Sequence, residues 1–190
     1  MILPIVAYGH PALRKVSEEI DQDYPEFKKF MEDLWETMYE TDGVGLAAPQ
    51  VNRNIRVFVI DADVFKEKYP EAEGVRKAFI NPEMIERSDD EVFHNEGCLS
   101  IPAIHEDIER PSKIRINYLD EDWNEHEEEF EGIMARIIQH EYDHLEGKVF
   151  VDHLPGIRKM MLRSKLNDIA KAKIDPPYRM IFAPNKKIKL

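Results

Sequence analysis

The sequence predicts an α+β fold, with mostly antiparallel sheets packed around a central helix that carries metal-ligand residue types. Helix-like periodicity is confined to three stretches, and short strand-like segments separated by turn residues fill the space between the first and the second. Long helices do not alternate regularly with these strands, which excludes a doubly wound parallel sheet. A chain of 190 residues with 43% apolar content is enough for one domain with a substantial core.

The first helix lies in "DYPEFKKFMEDLWETMYETDG", where Phe27, Phe30, Met31, Leu34, Trp35, Met38 and Tyr39 follow the three-and-four spacing of a buried face. Asp23 or a neighbour is expected to cap its start, Pro25 suits the first turn, and Gly43 is the expected left-handed stop. Strand-like segments follow in "IRVFVID", "KAFINPEMIE", "SKIRINYLD" and "HEEEFEG", punctuated by Asn-Pro, Arg-Pro and Asp-Glu-Asp turns. Residues 62 to 77 read as a charged loop or short helical excursion. The second helix, bounded by Gly132 and Gly147, carries Ile133, Ile137, His140, Glu141 and His144 on one side and Met134, Ile138 and Leu145 on another. A helix apolar on so much of its circumference is central and buried. The third begins near Pro155, carries Ile157, Met160, Met161, Leu162, Leu166 and Ile169, and ends before "IDPPYR", because two prolines cannot continue it.

Composition narrows the function classes. The single cysteine, Cys98, cannot form an internal disulfide, so it is a small buried apolar residue, a nucleophile or a metal ligand. The start, "MILPIVAYGHPALRK", lacks the pattern of a signal peptide and no stretch approaches a membrane span, so a cytoplasmic protein is expected. The net charge of -12 argues against DNA or general nucleic-acid binding. That charge is unevenly placed: residues 156 to 190 hold ten Lys/Arg against two acids, and the rest holds 16 against 36.

Within "HEYDH", His140 and His144 are four apart, so on a helix both imidazoles project from one face and can share a metal ion, with Glu141 beside them. Two isolated histidines on an exposed helix are the bland alternative. It is weakened by Ile133 and Ile137, which continue the stripe and turn the histidine face inward, where unpaired imidazoles are costly. A catalytic site has three protein ligands and an open position, whereas a structural site closes all four. Cys98 in "EGCLS" is the strongest third candidate, with His153 and Glu146 as others, and spacing alone does not choose among them. "GVGLAAPQ", Gly43 to Gln50, places small residues where a backbone passes close to something; it lacks the Lys-Ser/Thr of a phosphate loop. A helix cap and tight turn would explain Gly43 but neither Gly45 nor Gln50.

"GVGLAAPQ", "EGCLS" and "QHEYDH", in this order, resemble the three signature motifs of the peptide deformylase family, and "ILPIVAYGHPALRK" resembles its usual start; the likeness runs from residue 2 to about 165. It implies a catalytic domain over residues 1–174, with 175–190 as a C-terminal extension that departs from the family. It also implies a metallohydrolase that removes the formyl group from N-formylmethionyl nascent peptides, releasing formate. Cys98, His140 and His144 would be the metal ligands, with Fe(II) as the native metal and Zn, Ni or Co able to replace it. Glu141 would be the general base and acid, Gln50 and the Leu99 N–H the oxyanion donors, and Gly45 a backbone partner for the substrate. Val44, Leu99, Ile133 and Ile137 are the candidate wall of the methionine pocket. For Glu96 the expectation is a salt bridge to Arg110 that holds the Cys98 loop. A monomer is expected, with the basic segment 156–190 docking on ribosomal RNA. Two readings compete: a zinc peptidase with His153 or Glu146 as third ligand, and a structural metal site closed by His94 or His153.

Overall fold

The computed structural model describes residues 1–184. Its largest element is a five-stranded antiparallel sheet in the order β2 (Gly45–Ala47), β3 (Val57–Asp61), β4 (Arg76–Arg87), β7 (Lys113–Leu119) and β8 (Glu125–Glu131). Because side chains alternate across a strand, β3 feeds two layers: Phe58 and Ile60 face one side, Val57 and Val59 the other. The first side packs against helix α2 (Gly132–Leu145) through Ile133, Ile137, Ile138 and Leu145, with Phe58 and Phe79 stacked beneath at 4.6 Å. Helix α1 (Phe27–Glu40) covers the second side with Phe30, Met31, Leu34, Trp35 and Met38. At the sheet edge, Glu125, Glu127, Glu129 and Glu131 of β8 are exposed, a row of like charge that discourages pairing with another chain.

The second sheet is a hairpin of β5 (Glu91–Cys98) and β6 (Ile101–Pro111). Ile101, Ile104 and Ile108 of β6 pack on helix α3 (Gly156–Ala170) and on Val149, Phe150 and Val151. A short parallel pair joins β1 (Ile5–Val6) to β9 (Met180–Ile181), so the two ends of the described chain lie side by side. No helix among the described residues is long and apolar enough to cross a membrane.

The α+β class, the three helices and the strands β3, β4, β7 and β8 match expectation, while β5 and β6 were not among the named segments; of residues 62–77, Asp63–Phe65 and Pro70–Ala72 are short 3-10 turns and Arg76 and Lys77 already belong to β4. Several details differ. Helix α1 begins after Pro25, behind Glu26 in a left-handed conformation and without a side-chain cap, so Asp23 is not its cap. Its left-handed stop is Asp42 (φ 55°), one residue before Gly43. Tyr39 is half exposed, its hydroxyl donating to Asp61 at 2.7 Å, because it sits at the edge of the helix face. The Asn-Pro pair is a bulge inside β4 and no turn: Asn81 (φ 48°) exchanges hydrogen bonds with Ile20, bending the strand without ending it. Helix α3 buries Leu162, Leu166 and Ile169 and leaves Ile157, Met160 and Met161 exposed, since only one stripe reaches the hairpin. Of the segment 175–190, residues 185–190 lie outside the described residues, while Met180 and Ile181 are a strand.

Candidate metal centre

Helix α2 runs along the β5–β6 hairpin toward its turn at Leu99–Ser100, and this packing brings two separate stretches of sequence together. Cys98 closes β5, His140 and His144 project from successive turns of α2, and their ligand atoms all lie within 4.8 Å of one another. Cys98 Sγ is 3.4 Å from His144 Nε2. Both histidines are nearly or fully buried. One sulfur and two imidazole nitrogens at this spacing are the donor set of a first-row divalent metal with a position left open. Two buried polar atoms at the same place, Glu141 Oε2 and His144 Nδ1, have no hydrogen-bond partner among the described residues.

The other ligand candidates are engaged elsewhere. Glu146 pairs with Arg56 at 2.7 Å, His153 Nε2 contacts Asp143 at 2.6 Å, and the His94 ring contacts the Asn95 carbonyl.

A buried charge network holds the cluster. The Glu96 carboxylate, 6% exposed, receives Arg110 Nε at 2.7 Å and Arg136 Nη1 at 2.9 Å on one oxygen, and Arg110 Nη2 at 3.0 Å and His140 Nδ1 at 2.8 Å on the other. The expected Glu96–Arg110 pair is therefore formed, and it does more than hold the Cys98 loop: it fixes the ring of His140 and leaves Nε2 for a ligand. Arg110 also donates to Asp143 at 2.6 Å, which ties the hairpin to the turn of α2 before His144. Burial alone would raise the Glu96 carboxyl, but His140 and Arg110 hold it well below the usual carboxylate range. Asp143 likewise resists its burial, held down to about 2 by His153 and Arg110.

Electrostatics separate the two histidines. Burial disfavours charge on His140, yet Cys98 and Glu96 on either side raise its pKa well above the ordinary value, so this side of the site favours positive charge. His144 is pushed down to about 3 by burial and by His140, and stays neutral with its lone pair available. The Glu141 carboxyl is pushed up to about 7 by burial. A group poised there both accepts and returns protons near neutral pH.

Gly45 explains where Glu141 sits. A Cβ on Gly45 would lie 2.5 Å from Glu141 Oε1 and 2.9 Å from its Cγ, so any side chain there would displace the carboxyl group. The Gln50 side chain is fixed by the backbone three residues earlier: its Oε1 accepts from Ala47 N at 2.9 Å, which turns Nε2 toward Cys98 Sγ (3.4 Å) and Ser100 Oγ (3.3 Å). These residues surround a cleft of about 440 Å³ whose walls include Val44, Leu99, Ile133 and Ile137. Arg136, Asp143, Pro177 and Tyr178 also reach the site or its supports and were not expected there, while His153, expected as a possible ligand, contacts Asp143 instead. Arg136 had left a signal, an arginine four residues before His140 on an inward stripe.

The chain matches a family model described as polypeptide deformylase over residues 2–160. It is 52% identical over 187 residues to a peptide deformylase of Cytophaga hutchinsonii, covering 98% of this chain and 100% of that one. Among solved structures it resembles a peptide deformylase from Legionella pneumophila (TM-score 0.78, 32% identity, 91% of this chain and 98% of that one). A peptide deformylase from Plasmodium falciparum is similar too (TM-score 0.79, 38% identity, 88% and 95%).

Replacing Arg110 by Ala takes the guanidinium from Asp143 and leaves Glu96 with Arg136 as its remaining one. Denaturant unfolding of the metal-free protein should show a loss of about 3–5 kcal/mol, and metal titration an affinity lowered about 10- to 100-fold. Unchanged stability and affinity would contradict the support assigned to this network.

Proposed function

We propose residue roles for this chain, which belongs to the polypeptide deformylase family and is a hydrolase that removes the formyl group from the N-termini of nascent polypeptides. The observation that carries the roles is the Cys98, His140 and His144 cluster, of which Cys98 and His140 line one cleft together with Glu141. Cys98, His140 and His144 would hold the metal, which when bound supplies a Lewis acid that brings the pKa of water toward neutrality. A thiolate with two imidazoles suits Fe(II), which we take as the native metal, and Zn, Ni or Co can occupy the same ligands.

Glu141 accepts the proton of the water that attacks the formyl carbon and returns it to the nitrogen as the C–N bond breaks, so that formate and a free N-terminus leave. Its burial supports this, since the carboxyl is held near neutrality. As the formyl oxygen gains charge, Gln50 Nε2 and the Leu99 N–H donate to it. The hydrogen bond from Ala47 N that fixes the Gln50 amide supports a preset donor, and removing one such donor costs about 3 kcal/mol of transition-state stabilisation. Gly45 presents its backbone to the substrate: among the described residues no strand pairs with the outer edge of β2, so a substrate strand can add there. Val44, Leu99, Ile133 and Ile137 form the wall for the methionine side chain; Ile133 and Ile137 also belong to the core under α2, which keeps that wall rigid.

The catalytic residues all fall within 1–174, which we take as the catalytic domain. The enzyme works as a monomer in the cytoplasm, on chains leaving the ribosome, and the basic segment 156–190 docks on ribosomal RNA. Support comes from Arg163, Lys165, Lys171 and Lys173, exposed on or just after α3, whereas Arg158 is engaged with Glu106 at 2.6 Å.

Metal-loaded protein should release formate from formyl-Met-Ala-Ser. Glu141→Ala should lower kcat by about 10²- to 10⁴-fold while keeping its metal, and Cys98→Ala should lose both metal and turnover. A loaded wild type that releases no formate, or a Glu141→Ala variant at full rate, would refute these roles. For docking, co-sedimentation with ribosomes should fall with rising salt and on replacing Arg163, Lys165, Lys171 and Lys173 by Gln. Binding indifferent to both would rule it out.

A further inference from the structure

Beyond helix α3 the chain returns to the cleft. Pro177 and Tyr178 line it beside Leu99, and the Tyr178 hydroxyl donates to the Leu99 carbonyl at 2.8 Å. The next residues are fastened: Arg179 O accepts from Ile5 N and Ile181 O from Ala7 N, each at 2.8 Å, and Met180 and Phe182 pack on the core beneath α3. The turn that Tyr178 touches is held from two other directions. Ser100 O accepts from Tyr8 N at 2.8 Å, and Ser100 Oγ receives Gln50 Nε2 at 3.3 Å. Residues from the N-terminus, the first motif and the C-terminal segment thus converge on Leu99 and Ser100, next to the ligand Cys98.

We infer that Tyr178 is a positioning residue for deformylation: its hydroxyl fixes the Leu99–Ser100 peptide and so restrains rotation at Leu99, whose N–H lies in the adjoining Cys98–Leu99 peptide, while its ring and Pro177 complete the substrate wall. This rests on the reading of the Leu99 N–H as an oxyanion donor. The segment after residue 174, which the family motifs do not reach, becomes part of the working site. A phenol is suited to the task, because burial and then the charge of Cys98 push Tyr178 up to about 12 and keep it a donor throughout the neutral range. Phenylalanine would keep the wall and lose the tether; alanine would lose both.

The test uses the full chain loaded with metal, with formyl-Met-Ala-Ser as substrate, and compares wild type with Tyr178→Phe, Tyr178→Ala and Gln50→Ala. Loss of one hydrogen bond that acts in the transition state should lower kcat of Tyr178→Phe about three- to tenfold. Its KM, metal content and melting temperature should match wild type. Tyr178→Ala should in addition raise KM and weaken calorimetric binding of the product Met-Ala-Ser to the metal-free protein, which Tyr178→Phe leaves unchanged. Wild-type kcat in Tyr178→Phe, beside a Gln50→Ala variant that has lost about a hundredfold, would overturn the role of Tyr178 and leave the oxyanion reading standing. Full activity in Gln50→Ala would overturn that reading and this inference with it. A Tyr178→Phe deficit that follows loss of metal or of folded protein would reduce the residue to a structural one and overturn the inference.

Discussion

The Glu96 carboxylate, buried between Arg110, Arg136 and His140, joins the three parts of the molecule that make the site. Arg110 lies on β6, Arg136 and His140 on α2, and Glu96 two residues before Cys98 on β5. Removing such a carboxylate from water costs several kcal/mol unless its oxygens are satisfied by charged donors. Here four donors satisfy them, so the hairpin and the helix lock in one register. The Cys98 sulfur and the two imidazoles are then placed by the same constraint. Arg110 extends the lock to Asp143 and His153, one residue before His144 and on the turn after α2, so both histidines are steadied from behind.

A second constraint is spatial. The carboxyl of Glu141 is held in a dry position against Gly45, where a single added carbon would collide with it. In the proposed roles, pushing a carboxyl toward neutrality by burial and keeping it next to a backbone edge would serve one purpose, since the proton carrier and the strand receiving substrate would be side by side. The large core on that face, Phe58, Phe79 and Phe130 against Ile137 and Ile138, keeps α2 from shifting away from β2. The distance between Glu141, the β2 edge and the Cys98, His140 and His144 cluster is thus a property of the sheet packing.

Much of this arrangement was legible in the sequence because it is local or motif-borne. Four-residue spacing placed His140 and His144 on one face, and the apolar stripe of Ile133 and Ile137 told which way that face points. Cys98 was a candidate by uniqueness, but joining it to the histidines required the family resemblance, since spacing left His153 and Glu146 open. Features that depend on partners distant in sequence were not readable. Nothing local marks Asn81 as a bulge, because its conformation answers to hydrogen bonds with Ile20. The β5–β6 hairpin mixes polar and apolar positions around the charge network, which hides its alternation. Met180 and Ile181 become a strand only because β1 offers an edge, and Tyr178 reaches the cleft for the same reason.

In the proposed site, Cys98, His140 and His144 would bind one metal ion as a set. Titration of metal-free protein with Co(II) tests it directly, because a thiolate ligand gives an intense near-ultraviolet charge-transfer band and a four-coordinate site gives strong visible bands. Both should saturate at one equivalent, and the ultraviolet band should vanish in Cys98→Ser. Weak visible absorption of the octahedral kind, or a spectrum unchanged by Cys98→Ser, would contradict the assignment.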